Sequence, residues 1–391
     1  MNSKVITLTF SKDGKLLLSG ETNGISGEIR VWDLSTKKLS NCFKVHEYNS
    51  ITEILDLSDE LCAVIGETGG GMLSESFIRV FNKQTGQLFK EYTVKNRWTD
   101  IVMTYHYISG DREGLKVLAI TATLDGKLLF AATNLFHVAI FDTTSGECIR
   151  RLGVESSDDA LPLPFDGHFS AVTALSVTPD GRWLVTGGKD GDIRKWDLTN
   201  YNCVQRIKSN SGGVNEVLIT SDGKRAISLG VDRIIKIWDL IEGKLTGEIT
   251  QTSAMIKLIE KSERTSILSI SEKNQNVLEI WDLKNRELVK TLENTKSIET
   301  ITADSYGSLG AIASTNDSIS IWKISGDESH LMYELVDDKI ITDVQSNATE
   351  TSEPTSLLST DGTKSKKQSK WRNLFKRHQR LLLSLSFYFL N

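Results

Sequence analysis

Short runs of alternating apolar and polar residues recur along most of this chain. In residues 166–207 the runs VTALSV, RWLVTG and DIRKWDL are enriched in β-branched and aromatic residues, and NCVQRI follows with an alternating polar pattern. Runs of this kind, bounded by turn residues, are typical of β-strands. The segment therefore predicts four short antiparallel strands joined by turns.

Asp-Gly pairs mark one of these turns at several places in the chain. They occur as SKDGK at 11–15, TLDGK at 123–127, TPDGR at 178–182 and TSDGK at 220–224. Glycine tolerates the positive φ that tight hairpin turns need. Each pair therefore predicts the turn between the first and second strands of a repeated unit.

Seven segments end in an apolar phrase that carries an aromatic residue, as in IRVWDL, IRVFNK and IKIWDL. These aromatic residues are Trp32, Phe81, Phe141, Trp196, Trp238, Trp281 and Trp322. They are 49, 60, 55, 42, 43 and 41 residues apart. A period of about 40 to 45 residues with a Trp-Asp signature indicates one propeller blade per repeat. We expect an all-β fold, a seven-bladed β-propeller of four-stranded antiparallel blades, over residues 1–343.

The fourth repeat, from DGHFS to IRKWDL, resembles the repeats of the WD-repeat family. The resemblance implies a structural tetrad of hydrogen-bonded side chains, which are His168, Thr186, Asp190 and Trp196. Such a network gives a buried indole N–H and a turn carboxylate the partners they need. A catalytic His-Asp pair is the alternative, but no nucleophile is specified nearby. The fifth repeat keeps Ser228, Asp232 and Trp238, with Asn210 in place of His.

The ends of the predicted ring have an unusual arrangement. Val5 to Phe10 already forms the innermost strand of the first blade, so the outer strand of the seventh must come from residues 331–336, LMYELV. The first and seventh blades are therefore predicted to meet through side-chain packing alone. A degenerate eighth repeat ending at Trp371 is the alternative.

The resemblance implies that the loops between second and third strands and the loops between blades share one face of the ring, and the long connections of blades 1 to 4 belong to this set. They are residues 21–27, 67–76, 95–114 and 153–167. Long loops in a compact repeat tend to carry function. The third contains the candidate partner-binding residues Trp98, Tyr105, His106 and Tyr107, since aromatic residues are favoured binding anchors. The same apolar segment also fits a strand packed on the rim.

Charge is unevenly distributed in the chain. Of the 391 residues 39% are apolar and the net charge is -5, but residues 364–391 hold eight Lys or Arg and no acid, which leaves -13 for residues 1–363. No nucleic-acid partner is expected from this balance. The four cysteines form no ligand cluster or Cys-x-x-Cys pair, which favours buried thiols in a reducing compartment.

The last part of the chain changes character twice. Residues 344–363 are rich in Ser and Thr and predict a disordered linker. Residues 364–391 predict a basic amphipathic tail that contacts an anionic membrane or a helix-binding groove. The candidate contact residues are Trp371, Arg372, Lys376, Arg377 and Arg380. An exposed tail without a function is the alternative.

These features favour a non-catalytic interaction scaffold or adaptor whose partners are other proteins or peptides. Six scattered His residues without ligand spacing predict no catalytic or metal site, no cofactor and no small-molecule substrate. A membrane-surface adaptor recruited by the tail is the second hypothesis, and a propeller hydrolase is the third. The start of the chain does not resemble a secretion signal, so we expect a cytoplasmic protein that is peripheral to a membrane if the tail binds one.

Overall fold

A computed structural model gives the structure of this protein. It describes residues 4–22, 26–47, 49–68, 76–92, 94, 115–153, 167–209, 212–250, 256–261, 264–271, 274–315, 318–324 and 329–335. The described residues form 28 β-strands, which is the all-β class predicted from the sequence.

The strands form seven four-stranded antiparallel sheets, one for each predicted repeat. Blade 1 contains β1 (Lys4–Phe10), β2 (Leu16–Thr22), β3 (Ser26–Asp33) and β4 (Lys38–Glu47). Blade 2 contains β5 (Asn49–Asp56), β6 (Leu61–Thr68), β7 (Ser76–Asn82) and β8 (Leu88–Tyr92). Blade 3 contains β9 (Val117–Ala122), β10 (Leu128–Thr133), β11 (Val138–Asp142) and β12 (Cys148–Leu152). Blade 4 contains β13 (Val172–Val177), β14 (Trp183–Gly188), β15 (Asp192–Asp197) and β16 (Asn202–Lys208).

The remaining three blades have the same strand order. Blade 5 contains β17 (Val214–Ile219), β18 (Arg225–Gly230), β19 (Ile235–Asp239) and β20 (Leu245–Ile249). Blade 6 contains β21 (Ile256–Lys261), β22 (Arg264–Ile270), β23 (Val277–Asp282) and β24 (Glu287–Glu293). Blade 7 contains β25 (Ile298–Ala303), β26 (Leu309–Ser314), β27 (Ile319–Lys323) and β28 (His330–Leu335). The predicted seven-bladed propeller is therefore confirmed.

The Asp-Gly turns have the predicted conformation. Gly14, Gly126, Gly181 and Gly223 have φ values of 68°, 69°, 69° and 68°, in the left-handed region where glycine is favoured. A side-chain hydrogen bond reinforces the first of these turns, in which Ser11 Oγ donates to Asp13 Oδ1 at 2.6 Å. Local sequence therefore determines the hairpins.

The apolar core lies between the blades. Seven buried clusters each combine residues of two neighbouring blades, one for each junction of the ring. At the junction of blades 3 and 4, for example, Trp196 packs with Phe130 and Ile140. The aromatic residue that ends each repeat thus packs towards the preceding blade, because alternate residues of a strand point to opposite faces.

The ring closes as the sequence predicts, by side-chain packing between blades 7 and 1. Val5, Leu8 and Phe10 are buried with Ile321 and Tyr333. Among the described residues, each sheet takes all four strands from one repeat, and no strand pairing crosses the junction. Polar contacts supplement the packing: Lys4 Nζ lies 2.8 Å from Glu299 Oε2, the Ser305 hydroxyl donates to the Lys12 carbonyl at 3.0 Å, and the Tyr333 hydroxyl donates to the Leu34 carbonyl at 3.4 Å.

The ring has two faces that carry different connections. The loop face carries the connections between second and third strands and the connections between blades, and the turn face carries the hairpin turns on the opposite side. Long connections on the loop face are residues 69–75, 93–116 and 153–171. The first connection predicted to be long is short, because β2 and β3 extend the hairpin and leave only residues 23–25 between them. The long connections therefore belong to blades 2 to 4.

Candidate functional site

The tetrad residues of blade 4 lie in one hydrogen-bonded chain. His168 Nε2 lies 2.7 Å from Thr186 Oγ1 on β14, and the same oxygen accepts from Trp196 Nε1 on β15 at 3.0 Å. On the other side of the imidazole ring, Nδ1 lies 3.0 Å from Asp190 Oδ1. This hydrogen-bonded network links the connection before β13 to the loop between β14 and β15. The network thereby holds these two loop-face segments to strands β14 and β15.

Asp190 is held ionised by its surroundings. Burial acts to raise the pKa of its carboxyl, but the hydrogen bond to His168 and the backbone N–H groups of Phe169 and Asp192 outweigh it and lower the pKa to about 2. Thr186 is 0% exposed and His168 is 1% exposed. Because the imidazole and the hydroxyl are closed to solvent, they cannot meet a substrate, and we propose that the network is structural rather than catalytic.

Breaking the tetrad should lower stability. We expect His168→Ala and Asp190→Ala each to reduce the free energy of unfolding by about 1 to 3 kcal/mol, because each leaves buried polar partners unsatisfied. Asp232→Ala is the matched control, since this turn carboxylate of blade 5 is exposed. Chemical denaturation of the three variants tests the assignment, and a loss in the control equal to that in the tetrad variants would contradict it.

The other blades keep only parts of the network. Trp32 Nε1 donates to Ser19 Oγ at 3.1 Å in blade 1, and Trp238 Nε1 donates to Ser228 Oγ at 2.9 Å in blade 5. In blade 5 a serine, Ser209, approaches Ser228 with its Oγ at 3.4 Å. Asn210, the residue predicted to replace the histidine, lies outside the described residues.

Blade 7 has lost the acceptor for its indole. Ile312 is paired with Ser320 in β26 and β27, whereas blade 4 pairs Thr186 with Arg194 at the same register. The Trp322 Nε1–H is buried and has no hydrogen-bond partner in the part of the chain that the structure describes. The Trp322 side chain is therefore held by apolar packing.

Exposed apolar side chains gather on the loop face of blades 3 to 5. Phe136 lies in the loop between β10 and β11, Phe169 follows the tetrad histidine, and Val231 lies in the loop between β18 and β19. Phe136 is 39% exposed and has φ 70°, which is unusual for a bulky residue. Such strain often marks functional positions.

Two arginines flank the exposed ring of Phe169. The guanidinium carbons of Arg194 and Arg206 lie 5.5 Å and 5.1 Å from the ring centroid, within range of a cation–π interaction. Arg206 Nε also donates to the buried Asp192 at 2.6 Å. The ring is therefore positioned by charged groups although it is 58% exposed.

Sequence reasoning missed Phe136 and Phe169, and it selected other aromatic residues instead. Trp98, Tyr105, His106 and Tyr107 lie outside the described residues, as do Trp371, Arg372, Lys376, Arg377 and Arg380. The missed signal was the presence of Phe at two loop positions, in NLFH and GHFS. Polar and small residues usually occupy such positions.

Four further observations concern metal ligands, cysteine thiols and membrane-spanning helices. Among the described residues, no group of three or more His, Cys, Asp or Glu is placed to hold a metal ion. The cysteines are free thiols, but the expectation that they are buried is correct only for Cys62, since Cys42 is exposed and Cys148 and Cys203 are half-buried. Burial raises the pKa of the Cys62 thiol to about 12. No helix in the described ranges is long and apolar enough to cross a membrane.

A ring of seven four-stranded antiparallel blades defines a seven-bladed β-propeller. Comparison with known proteins specifies the family. The model for the WD domain, G-beta repeat, matches residues 2–33, 161–197 and 201–239. The chain is therefore a seven-bladed propeller that contains WD repeats.

The curated relatives are similar over part of their length. Protein ROOT INITIATION DEFECTIVE 3 of Arabidopsis thaliana is 27% identical over 54% of this chain and 53% of its own length. Target of rapamycin complex subunit LST8 of Saccharomyces cerevisiae is 27% identical over 47% of this chain and 63% of its own length. U3 small nucleolar RNA-associated protein 21 of the same yeast is 23% identical over 46% of this chain and 20% of its own length. The chain thus spans between a fifth and less than two thirds of these three relatives.

Proposed function

We propose that this chain is a non-catalytic scaffold or adaptor that binds other proteins or peptides on the loop face, at blades 2 to 4. The observation that carries the proposal is the convergence of long connections and exposed apolar residues on that face. The strand ends that residues 69–75, 93–116 and 153–171 connect all lie there, together with Phe136 and Phe169. Long connections on a rigid scaffold are a common location for binding residues.

The names of relatives support a role within complexes. The yeast LST8 protein is a subunit of the target of rapamycin complex, and a relative in Culex quinquefasciatus is subunit I of eukaryotic translation initiation factor 3. By analogy we propose that this chain works inside the cell as one part of a larger protein assembly. Fold-level analogy does not identify the partner.

The buried polar groups support a non-catalytic role. The most complete His-Asp constellation, that of His168 and Asp190, is engaged in the blade 4 tetrad. Its hydroxyl group, on Thr186, accepts from Trp196 and has no access to solvent. A general base must reach the proton that it abstracts. A scaffold is therefore favoured over a propeller hydrolase.

Replacing residues 98–111 with a Gly-Ser segment of equal length should abolish partner capture while the ring stays folded. The described residues on either side, Val94 and Leu115, are buried between blades 2 and 3, so they keep both ends of the segment in place. Affinity purification of the full chain and of the variant, followed by quantitative mass spectrometry, measures capture. Thermal melting checks the fold.

Leu124→Ser is the matched control on the turn face, where Leu124 is exposed in the hairpin between β9 and β10. We expect this variant to capture the same proteins as the unmodified chain. The proposed face would be wrong if the Gly-Ser variant retained its partners and Leu124→Ser lost them.

A further inference from the structure

Phe136, Phe169 and Val231 belong to one continuous strip of surface across blades 3, 4 and 5. A Cβ added to Gly153 would lie 2.8 Å from Gly167 Cα and 3.5 Å from the Phe136 carbonyl oxygen. The chain segment that carries Phe136 therefore meets the segment that leads into Phe169. Close backbone approach of this kind is a known use of glycine.

The strip continues from blade 4 to blade 5. The Phe169 backbone N–H donates to Asp190 Oδ2 at 2.8 Å, and Asp190 is the neighbour of Lys189 in the same loop. A Cβ on Gly213 would lie 3.3 Å from Lys189 Cα and 3.5 Å from Val231 Cγ2. We call the set Phe136, Phe169, Lys189, Arg206 and Val231 the blade 3–5 strip.

The two charged side chains of the strip, Lys189 and Arg206, are positive; Arg206 is engaged through Nε by Asp192, and exposed Asp232 and Arg233 follow Val231 in its loop. Asp190 is engaged by His168 and by backbone N–H groups, and Asp192 is buried and paired with Arg206 Nε. Lys189 is exposed, and the Arg206 side chain is 51% exposed. The strip is therefore a cationic, partly apolar surface on a body that carries -13 over residues 1–363.

We propose that the blade 3–5 strip binds a short protein segment in which acidic residues flank a large apolar side chain. The apolar side chain would cover Phe136, Phe169 and Val231, and the carboxylates would pair with Lys189 and Arg206. Aromatic residues and arginine are the types that most often anchor such contacts, and charge complementarity selects the partner. This inference rests on the proposed scaffold function and names the chemistry of its partner.

A peptide fits the strip better than a nucleic acid. A phosphate backbone brings one charge with every nucleotide, and it would have to follow the acidic body beyond the strip. A short segment needs only the few carboxylates that Lys189 and Arg206 can pair. Val231 also offers an aliphatic contact and no stacking surface for a base.

The probe is a phage-displayed library of random short peptides, selected on the immobilised full chain. We expect enrichment of peptides that combine Asp or Glu with Leu, Ile, Phe or Trp. The most enriched peptide, labelled with fluorescein, is then titrated with the full chain, and Phe169→Ala and Lys189→Glu should each weaken binding by about tenfold or more. Binding should also weaken as salt rises, because the pairing charges are exposed.

Phe89→Ala and Lys224→Glu are matched controls. Phe89 is an exposed phenylalanine on the outer strand of blade 2, and Lys224 is an exposed lysine in the Asp-Gly turn of blade 5. Both should leave peptide binding unchanged. The proposal would be overturned by selection without acidic enrichment, by no selection at all, or by equal losses in the controls. Tighter binding of a labelled oligothymidylate through the same residues would assign the strip to nucleic acid.

Phe136→Asn separates a binding role from a structural one. Asparagine tolerates the left-handed backbone region much better than phenylalanine. The variant should therefore lose binding by about tenfold while its melting temperature is equal or higher. A lower melting temperature with unchanged binding would show that Phe136 serves the fold.

The two proposals can fail separately. If Phe169→Ala and Lys189→Glu still capture the partners that the Gly-Ser variant of residues 98–111 loses, the scaffold proposal stands and the strip is not its docking site. If the peptide binds through the strip and the Gly-Ser variant captures every partner, the strip is confirmed as a peptide-binding site. Residues 98–111 are then not required for partner capture.

Discussion

Replacing Lys83 with Leu is expected to cost about 3 to 5 kcal/mol of unfolding free energy, the largest effect of any single substitution considered for this protein. Lys83 is 1% exposed, and its Nζ lies 2.5 Å from Asp56 Oδ1. The other oxygen of Asp56 accepts the backbone N–H of Lys12 at 2.9 Å. Losing the lysine leaves a buried carboxylate without its counter-charge, and Asp56→Val should be similarly costly.

The double variant Asp56→Val, Lys83→Leu should recover most of that loss. Blade 4 has Val177 and Leu198 at the equivalent places, where they contribute to an apolar core. Well-packed apolar residues can replace a buried ion pair at little cost. One hydrogen bond to Lys12 N–H is still lost, so we expect the double variant to lie about 1 kcal/mol below the unmodified chain.

Chemical denaturation of the four proteins in this cycle measures the coupling between the two side chains. Leu198→Ala is a useful reference, because it removes apolar packing from blade 4 without exposing a charge. If the losses of the two single variants simply add in the double variant, Asp56 and Lys83 do not stabilise each other, and the expected result is wrong.

Lowering the pH from about 6.5 to about 4 should reduce the free energy of unfolding, because the unfolded state protonates His137 more readily than the folded state does. This loss should come at a higher pH than any loss due to Asp190. Burial, assisted by the charge of Arg151 and opposed by a hydrogen bond to the Leu135 carbonyl, lowers the pKa of His137 to about 4. The folded state therefore binds fewer protons than the unfolded state in this range. The contribution of neutral His137 to the free energy of unfolding is complete above the unfolded pKa near 6.5. This contribution is lost as the pH falls towards 4. The loss is at most about 3 kcal/mol.

His137→Gln should remove this pH dependence, because glutamine stays neutral throughout the range. His330→Gln, at an exposed position on β28, is the control and should keep it. Chemical denaturation at pH 7 and at pH 4.5 compares the three proteins. The explanation would be wrong if His137→Gln lost as much stability on acidification as the unmodified chain. Asp190, with its pKa of about 2, should add a further loss only below about pH 4.

Asp190 and the Asp56–Lys83 pair show which buried charges could be predicted from the sequence and which could not. Asp190 follows from the resemblance to WD repeats, which implies a network with His168 and Thr186 within one blade. Lys83 and Asp56 do not follow from it, because Lys83 stands where four other repeats have leucine, at Leu34, Leu198, Leu240 and Leu283. The ion pair becomes visible only when β5 and the turn after β7 are brought together.

The position of the exposed surface shows the same limit. The sequence indicates that long connections gather on one face, and the structure agrees for blades 2 to 4. It does not indicate that the segments bearing Phe136 and Phe169 meet through Gly153 and Gly167, or that Arg194 and Arg206 flank the Phe169 ring. These contacts join separate loops and separate strands.

The sequence alone therefore determined the class of fold, the number of blades and the hairpin turns, and it favoured closure of the ring without a shared strand. Each of these depends on local patterns, such as the alternation within a strand, the Asp-Gly turn and the spacing of the blade aromatics. Only the tertiary structure decided the Asp56–Lys83 pair, the burial of His137 and the blade 3–5 strip. Such features depend on which side chains of different strands and loops meet, and that is set by how the blades pack around the ring rather than by any pattern within one repeat.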